Sequence, residues 1–214
     1  MQLGKILPRF RIRRGRPSDA AALYAVHERA VRVLGRRVYS DSQVESWVHG
    51  TSPDCYLRAM RDDGEAFEVA VSRLRGIVGF CGRKDQEIRS LYVDPDWSRL
   101  GVGSALLQRA EAMIAAEGHD KVVIGASLVG LPFYELHGYN VVKHRHWRTG
   151  GGLMIPAADM EKPVAGAQDA AARPPRWQRV SSIAVRNPCP TVDSGSISRR
   201  MRRSTVLPSG NRRI

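Results

Sequence analysis

Cysteine is scarce in this chain of 214 residues. It has three, Cys55, Cys81 and Cys189, which lie far apart and form no CxxC pair. A disulfide framework or a thiolate zinc cluster needs more cysteines or closer spacing, so neither is expected. The longest uncharged apolar stretch, residues 122–134, is too short to cross a bilayer. We therefore expect a cytoplasmic protein that binds neither metal nor membrane.

Two common phosphate-binding motifs are also absent. No GxxxxGK[ST] segment occurs, which argues against a nucleoside-triphosphate loop. Gly101-Val-Gly103 is followed by Leu106 at the position where a dinucleotide fingerprint has its third glycine. Any phosphate site in this chain must therefore be of another kind.

Positive charge is abundant but uneven, and the formal net charge is +13. Residues 1–163 carry 24 Lys and Arg against 19 acidic residues, whereas residues 164–214 carry 10 against 2. The second segment is rich in Arg, Ser and Pro and shows no sustained apolar periodicity, which predicts a disordered tail. Such a tail either makes weak contacts with nucleic acid through counterion release or has no dedicated partner.

Apolar periodicity predicts a single domain over residues 1–163. It is of the α/β (α+β) class, with a mixed, mostly antiparallel sheet and helices on both faces. Strands are expected at residues 9–14, 67–73, 77–81, 87–93, 121–126, 139–147 and 153–160. Helices are expected from residue 17 to 35, from 40 to 48, from 102 to 118 and from 131 to 137.

The most informative segment is the predicted strand, loop and helix of residues 88–107. Asp94-Pro95 ends the strand, and Gly101 and Gly103 allow the backbone to turn toward a ligand. The helix that follows offers unpaired N–H groups and the positive end of its dipole to an anion. The same glycines would also permit close helix packing, so the motif alone does not decide between the two roles.

A second apolar strand follows this helix, and after it comes Pro132-Phe-Tyr-Glu-Leu-His-Gly-Tyr139. In this order the motifs resemble the GNAT superfamily of acyl-CoA-dependent N-acetyltransferases, over about residues 9–163. In that family a Q/R-x-x-G-x-G/A motif binds the pyrophosphate of acetyl-CoA, and an F-Y-E-x-x-G-F/Y segment carries a tyrosine acid. Ser98 stands where relatives have Gln or Arg, and Leu128 where many have Asn.

The resemblance implies roles for particular residues. Tyr134 would protonate the departing thiolate, and Glu87 would take the proton of the amine, directly or through water. A plain surface position at the strand edge is the other interpretation of Glu87. The oxyanion donor would be a main-chain N–H near Val93, where relatives have a bulge that separates two central strands. The residues implied in cofactor binding are Leu91, Tyr92, Val93, Ser98, Arg99, Leu100, Gly101, Val102, Gly103 and Ser104.

Three residues in the second predicted helix are candidates for contact with the acceptor. Tyr39, Gln43 and Trp47 are spaced four apart, so in one helix they would share a face. The resemblance places this region at the wall of the acceptor pocket. A packing stripe without contact to a substrate would give the same spacing.

The expected function is transfer of an acetyl group from acetyl-CoA to a primary amine by direct attack, without a metal, in a monomer or a homodimer. A different class of function also fits the residues. Ser98 and Leu128 depart from the family pattern and the tail is basic, as in a non-catalytic acyl-CoA-binding module whose tail docks on nucleic acid or a protein partner. The acceptor, whether a small molecule or a peptide amine, is not determined by the sequence.

Overall fold

The computed structural model describes residues 10–164, which form one sheet with helices on both faces. The seven strands are β1 (Phe10–Arg14), β2 (Ala66–Ser72), β3 (Gly76–Lys84), β4 (Glu87–Val93), β5 (Lys121–Ser127), β6 (Asn140–Arg148) and β7 (Met154–Pro163). The five α-helices are α1 (Ala20–Leu34), α2 (Asp41–Val48), α3 (Pro53–Arg61), α4 (Val102–Ala116) and α5 (Leu131–Leu136).

The strands lie in the order β1-β2-β3-β4-β5-β7-β6. Every neighbouring pair is antiparallel except β4 and β5. The predicted fold class, a mixed and mostly antiparallel sheet with helices on both faces, is therefore confirmed.

Helix α3 is the one α-helix of the described range that the sequence did not predict. It begins with Pro53 directly after Ser52, in extended conformation, and Asp54 lies in its first turn. Proline in the first turn and an acidic residue near the helix N-terminus are recognised start signals. Tyr56 and Ala59 are fully buried on this helix, so α3 belongs to the core.

Two cores lie on opposite faces of the sheet. Helices α4 and α5 cover one face. The fully or almost fully buried residues of α4 are Val102, Leu106, Leu107, Ala110 and Ile114. Helices α1 and α3 cover the other face around Phe67 and Phe80. Helix α2 packs beside them against the ends of β6 and β7, through Trp47, Trp147 and Ile155.

The sheet opens between β4 and β5. These parallel strands pair only at their beginnings, with Glu87 opposite Val123 and Ile88 opposite Ile124. Beyond Ile88 the pairing register of β4 with β3 shifts, because Ser90 lies opposite Gly82 while Ile88 lies opposite Arg83. The extra residue in β4 is therefore Arg89.

The expected bulge near Val93 is thus wrong in position, since the shift lies at Arg89, four residues earlier. Physically, a bulge there re-aims the rest of β4 just after its pairing with β5 ends. The separation of the two strands therefore starts at the beginning of β4 and continues to its end.

Val164 extends the domain by one residue beyond the expected boundary. Its side chain is 7% exposed in the core under α4, and its N–H donates to Asp120 C=O at 3.0 Å. The predicted disordered tail otherwise lies outside the described residues, as does Cys189. Within residues 10–164 no helix combines the length and apolar character that crossing a membrane requires.

Candidate active site

The loop between β4 and α4 is held in place by an aspartate turn and an ion pair. Asp94 accepts a hydrogen bond from the Asp96 N–H at 2.9 Å, which starts the turn at Pro95. Arg29 of α1 donates to Asp94 at 2.6 Å and to Asp96 at 2.8 Å. These contacts fix the entry to the loop from the opposite face of the sheet.

Residues 98–104, predicted to bind phosphate and called the phosphate cradle below, have the backbone that their glycines predict. Gly101 is the N-cap of α4 at φ +83°, in the left-handed region that glycine adopts without strain. The first hydrogen bond of the helix runs from the Ala105 N–H to the Gly101 C=O. The N–H groups of Val102, Gly103 and Ser104 precede that bond, so they have no acceptor within the helix and can donate to a ligand at its N-terminus.

The free edge of β4 supplies a second set of main-chain groups. The Asp94 N–H donates to Val78 C=O, and hydrogen-bonded pairs alternate along an antiparallel ladder. By this alternation Tyr92 also bonds to β3, whereas the N–H and C=O groups of Leu91 and Val93 point toward β5. They face the opening, where an extended ligand can pair with them as an added strand would.

Tyr134 closes this opening from the other side. It lies on α5, is 5% exposed, and packs edge-on against Phe133 and Tyr139. A Cβ on Gly130 would come within 3.1 Å of the Tyr134 ring, so that glycine leaves room for it. Burial raises the pKa of Tyr134 well above its usual value, so the hydroxyl keeps its proton at neutral pH.

A histidine joins the helix of Tyr134 to the phosphate cradle. His137 Nδ1 lies 2.7 Å from the Phe133 carbonyl, which can only accept, so Nδ1 carries the proton. His137 Nε2 then accepts from the Ser104 hydroxyl at 2.9 Å. The Ser104 side chain is thereby engaged within the protein, and its main-chain N–H is the group available to a ligand.

A cavity of about 80 Å³ lies at the opening of the sheet. It combines the free edge of β4, the Tyr134 side chain and an aromatic wall from α2 and β6. Its lining residues are Trp47, Arg89, Ser90, Leu91, Tyr92, Ile124, Gly125, Ala126, Ser127, Gly130, Tyr134, Trp147 and Ala157.

Only one of the three acceptor candidates, Trp47, lines this cavity. Its ring lies 5.3 Å from that of Trp147. Tyr39 precedes the helix, so the expected shared helix face is wrong for this residue. Its hydroxyl donates to Pro156 C=O and accepts from the Leu128 N–H, each at 2.8 Å.

Gln43 forms part of the N-cap of α2. Its side-chain oxygen accepts from the Ser40 N–H at 3.0 Å, and its own N–H donates to the Ser40 hydroxyl at 3.3 Å. This is the capping box that the S-x-x-Q spacing encodes. Leu128 acts through its main chain, because its N–H donates to the Tyr39 hydroxyl and so holds the Tyr39 ring beside Trp47.

Glu87 lies at the start of β4, where the strand still pairs with β5. Its Oε2 is 3.4 Å from Arg89 Nε, and both side chains are largely buried. Arg89 and Ser90 line the cavity. Glu87 lies two residues before Arg89 in β4 and is not among the lining residues. Sequence reasoning missed Arg89, Ser90 and Trp147, because the bulge and the β6–α2 contact that bring them to the cavity are tertiary features.

No cluster of three or more metal-ligating side chains is found among residues 10–164. Cys81, the cysteine nearest this site in the sheet, is 1% exposed, and burial raises the pKa of its thiol. A buried thiol with a raised pKa is a poor nucleophile.

Known proteins are similar to this chain in sequence and in fold. The model of the acetyltransferase (GNAT) domain matches residues 36–164. The chain belongs to the GNAT acetyltransferase family. It is 30% identical over 142 residues to the uncharacterized N-acetyltransferase YafP of Escherichia coli, covering 66% of this chain and 89% of that protein.

Solved structures resemble this GNAT domain over nearly their whole length. A GCN5-related N-acetyltransferase from Rhodopseudomonas palustris has a TM-score of 0.67 and 25% identity, covering 75% of this chain and 99% of its own. The PaiA N-acetyltransferase from Thermoplasma acidophilum, solved in complex with coenzyme A, has a TM-score of 0.58 and 23% identity, covering 72% and 99%. At 23% identity, the similarity to the PaiA N-acetyltransferase shows a shared fold.

Proposed function

We propose that this protein is an N-acetyltransferase that moves the acetyl group of acetyl-CoA to a primary amine by direct attack. One observation carries the proposal. The free edge of β4 and the buried Tyr134 line one opening in the sheet, and the N-terminus of α4 lies beside it, with Gly103 next to Phe133 and Val93. A structure of the same fold contains coenzyme A, which supports assigning the cofactor to this opening.

Each part of the opening suits one part of acetyl-CoA. The N–H groups of residues 102–104, with the loop of residues 98–101, bind the pyrophosphate. The pantetheine arm pairs with the edge of β4 at Leu91 and Val93. The Leu91 N–H faces the opening and its residue lines the cavity, so it is the donor that we place at the thioester oxygen.

The reaction then needs proton transfers at two points. The acceptor ammonium loses one proton to a carboxylate behind the cavity lining, directly or through an intervening group, and its lone pair attacks the thioester carbon. Glu87, the base first expected, lies behind the lining residue Arg89. As the C–S bond breaks, the sulfur takes the proton of the Tyr134 hydroxyl. The second proton of the acceptor nitrogen restores the tyrosine, so the products are an amide and free coenzyme A.

The aromatic wall indicates the kind of acceptor. Trp47, Trp147 and Tyr92 line a cavity that also holds Ser90 and Arg89, so a small amine with an apolar portion fits better than a fully polar one. An ammonium group is also favoured over the faces of such rings.

Release of free thiol from acetyl-CoA tests the proposal. The assay uses a panel of polyamines, amino acids, aminoglycosides and peptides with free N-termini, beside calorimetry of acetyl-CoA binding. We expect binding together with amine-dependent thiol release. Binding without release for every amine would contradict the enzyme and favour an acyl-CoA-binding module, and absence of binding would contradict both.

A further inference from the structure

Two buried polar atoms next to the cavity have no hydrogen-bond partner in the described part of the chain. They are Oε1 of Glu65, just before β2, and Oγ of Ser90 in β4. Both residues are 5% exposed. A buried carboxyl or hydroxyl oxygen without a partner is costly, which makes such atoms candidates for a role in function.

Gly82 brings these atoms together. It lies opposite Ser90 in the β3–β4 register. A Cβ at Gly82 would come within 2.5 Å of Ser90 Oγ and closer still to Glu65 Oε1, so both oxygens converge on the space that glycine leaves open. They therefore lie within about 5 Å of each other, close enough for a small movement of either side chain to join them by a hydrogen bond.

Ser90 also lines the cavity that contains Tyr134, Leu91 and Trp47. Its hydroxyl can accept one hydrogen bond while it donates another. The serine therefore stands between the cavity and the buried carboxyl group.

We propose that Glu65 receives the proton that the acceptor amine loses, and that the Ser90 hydroxyl passes it on. This inference rests on the proposed N-acetyltransferase function. The ammonium gives one proton to Ser90 Oγ as Ser90 gives its own hydroxyl proton to the Glu65 carboxylate. The amine keeps its lone pair for attack, and Glu65 returns the proton to solvent after the product leaves.

The surroundings suit this role better for Glu65 than for Glu87. Arg89 pairs with Glu87 at 3.4 Å, whereas Glu65 Oε1 has no hydrogen-bond partner among the described residues. Burial raises the pKa of Glu65 to about 7, close to the best value for a base at neutral pH. The charged and titratable groups that act on Glu65 or respond to it are Asp63 in the preceding turn, Tyr56 on α3, Cys81 and Lys84 on β3, and Glu87 and Arg89 on β4.

The decisive measurement is the pH dependence of kcat/KM for Glu65→Gln, with an amine that the wild type acetylates. In the wild type we expect kcat/KM to rise as the pH increases through 7, and this rise is called the pH 7 limb. In Glu65→Gln this limb disappears and the plateau falls by about 10²-fold, while calorimetry finds acetyl-CoA binding unchanged. Ser90→Ala should lower the rate by about 10-fold and keep the limb, since water can then carry the proton.

Two further variants separate this role from alternatives. Glu68 in β2 is also a buried glutamate, but its carboxylate lies near Arg109 of α4, on the other face of the sheet. Glu68→Gln should keep the limb at pH 7. If Glu87→Gln removes the limb and Glu65→Gln does not, Glu65 is not the acceptor and the inference is wrong.

Folding stability gives a readout that does not depend on activity. Because the folded pKa of Glu65 is raised from 4.5 to about 7, its favourable contribution is complete below pH 4.5 and is lost as pH rises through 7. Glu65→Gln should therefore match the wild type in melting temperature at pH 4.5 and exceed it at pH 8. Equal melting temperatures at pH 8 would overturn the buried ionisation. A wild type without turnover would overturn the proposed function, and this inference with it.

Discussion

The two sides of the opening in the sheet are built from different parts of the chain. The side that we propose for the cofactor is main chain, with the N–H groups at the start of α4 and the free edge of β4. The side that we propose for the acceptor is side chain, with Trp47 from α2 and Trp147 from β6. A main-chain site depends on backbone conformation and tolerates many sequences, whereas a side-chain site changes with each substitution. On this assignment, side-chain substitutions should alter acceptor binding more than cofactor binding.

Tyr134 belongs to both sides, and its removal has the largest expected effect on the chemistry. Tyr134→Phe keeps the buried ring and its contacts with Phe133 and Tyr139 but removes the proton donor. We expect turnover to fall by about 10²-fold or more, with acetyl-CoA affinity nearly unchanged. Steady-state kinetics with calorimetry checks this expectation. Near wild-type turnover would mean that the thiolate leaves without an acid from this residue.

A backbone change should weaken the cofactor side without touching any side-chain contact. A Cβ at Gly101 would meet nothing within 4 Å, so only the φ of +83° opposes a substitution. Valine is strained there by ~1–2 kcal/mol, whereas asparagine tolerates the left-handed region. Gly101→Val should lower acetyl-CoA affinity by about 10-fold, because 1.4 kcal/mol corresponds to a factor of ten.

Gly101→Asn is the matched control for that change, and it should bind almost as the wild type does. Calorimetry of both variants, with circular dichroism for folding, makes the comparison. Equal affinities for Val and Asn would show that the left-handed N-cap does not shape the cradle.

Substitution of Trp47 should change the KM for the amine, whereas substitution of Gln43 on the same helix should not. Trp47→Phe shortens the aromatic wall, and we expect the KM for the amine to rise by about 10-fold with the KM for acetyl-CoA unchanged. Gln43→Ala should instead lower stability by ~1 kcal/mol through loss of the capping box. Steady-state kinetics in both substrates distinguishes the two. A raised amine KM in Gln43→Ala would restore the acceptor role first expected for the whole stripe.

The same contrast explains what could be predicted from the sequence. The strand, the glycines and the helix of residues 88–107 are consecutive in the chain, so their local pattern predicts the phosphate cradle and contributes to the prediction of the fold class. Trp147 and Ser90 reach the cavity only after β6 packs near α2 and Arg89 bulges out of β4. Tyr39 has the spacing of a helix face, but its hydroxyl bonds to two distant main-chain groups. Such contacts have no local sequence signal.

The smallest expected effect concerns the C-terminal end of the domain, where truncation should leave the binding of cofactor and acceptor unchanged. Composition predicts that residues 165–214 add no apolar face to the core, so a chain ending at Val164 should keep its melting temperature and its amine kinetics. A chain ending at Pro163 also loses the buried Val164 side chain and its hydrogen bond to Asp120. Part of a valine's burial energy is then lost, about 1 kcal/mol, which should lower the melting temperature by a few degrees and leave KM for acetyl-CoA unchanged. Thermal denaturation of the two truncated chains and the full chain decides it. If the chain ending at Val164 were also destabilised, residues beyond it would contribute to the fold, and the proposed boundary would be wrong.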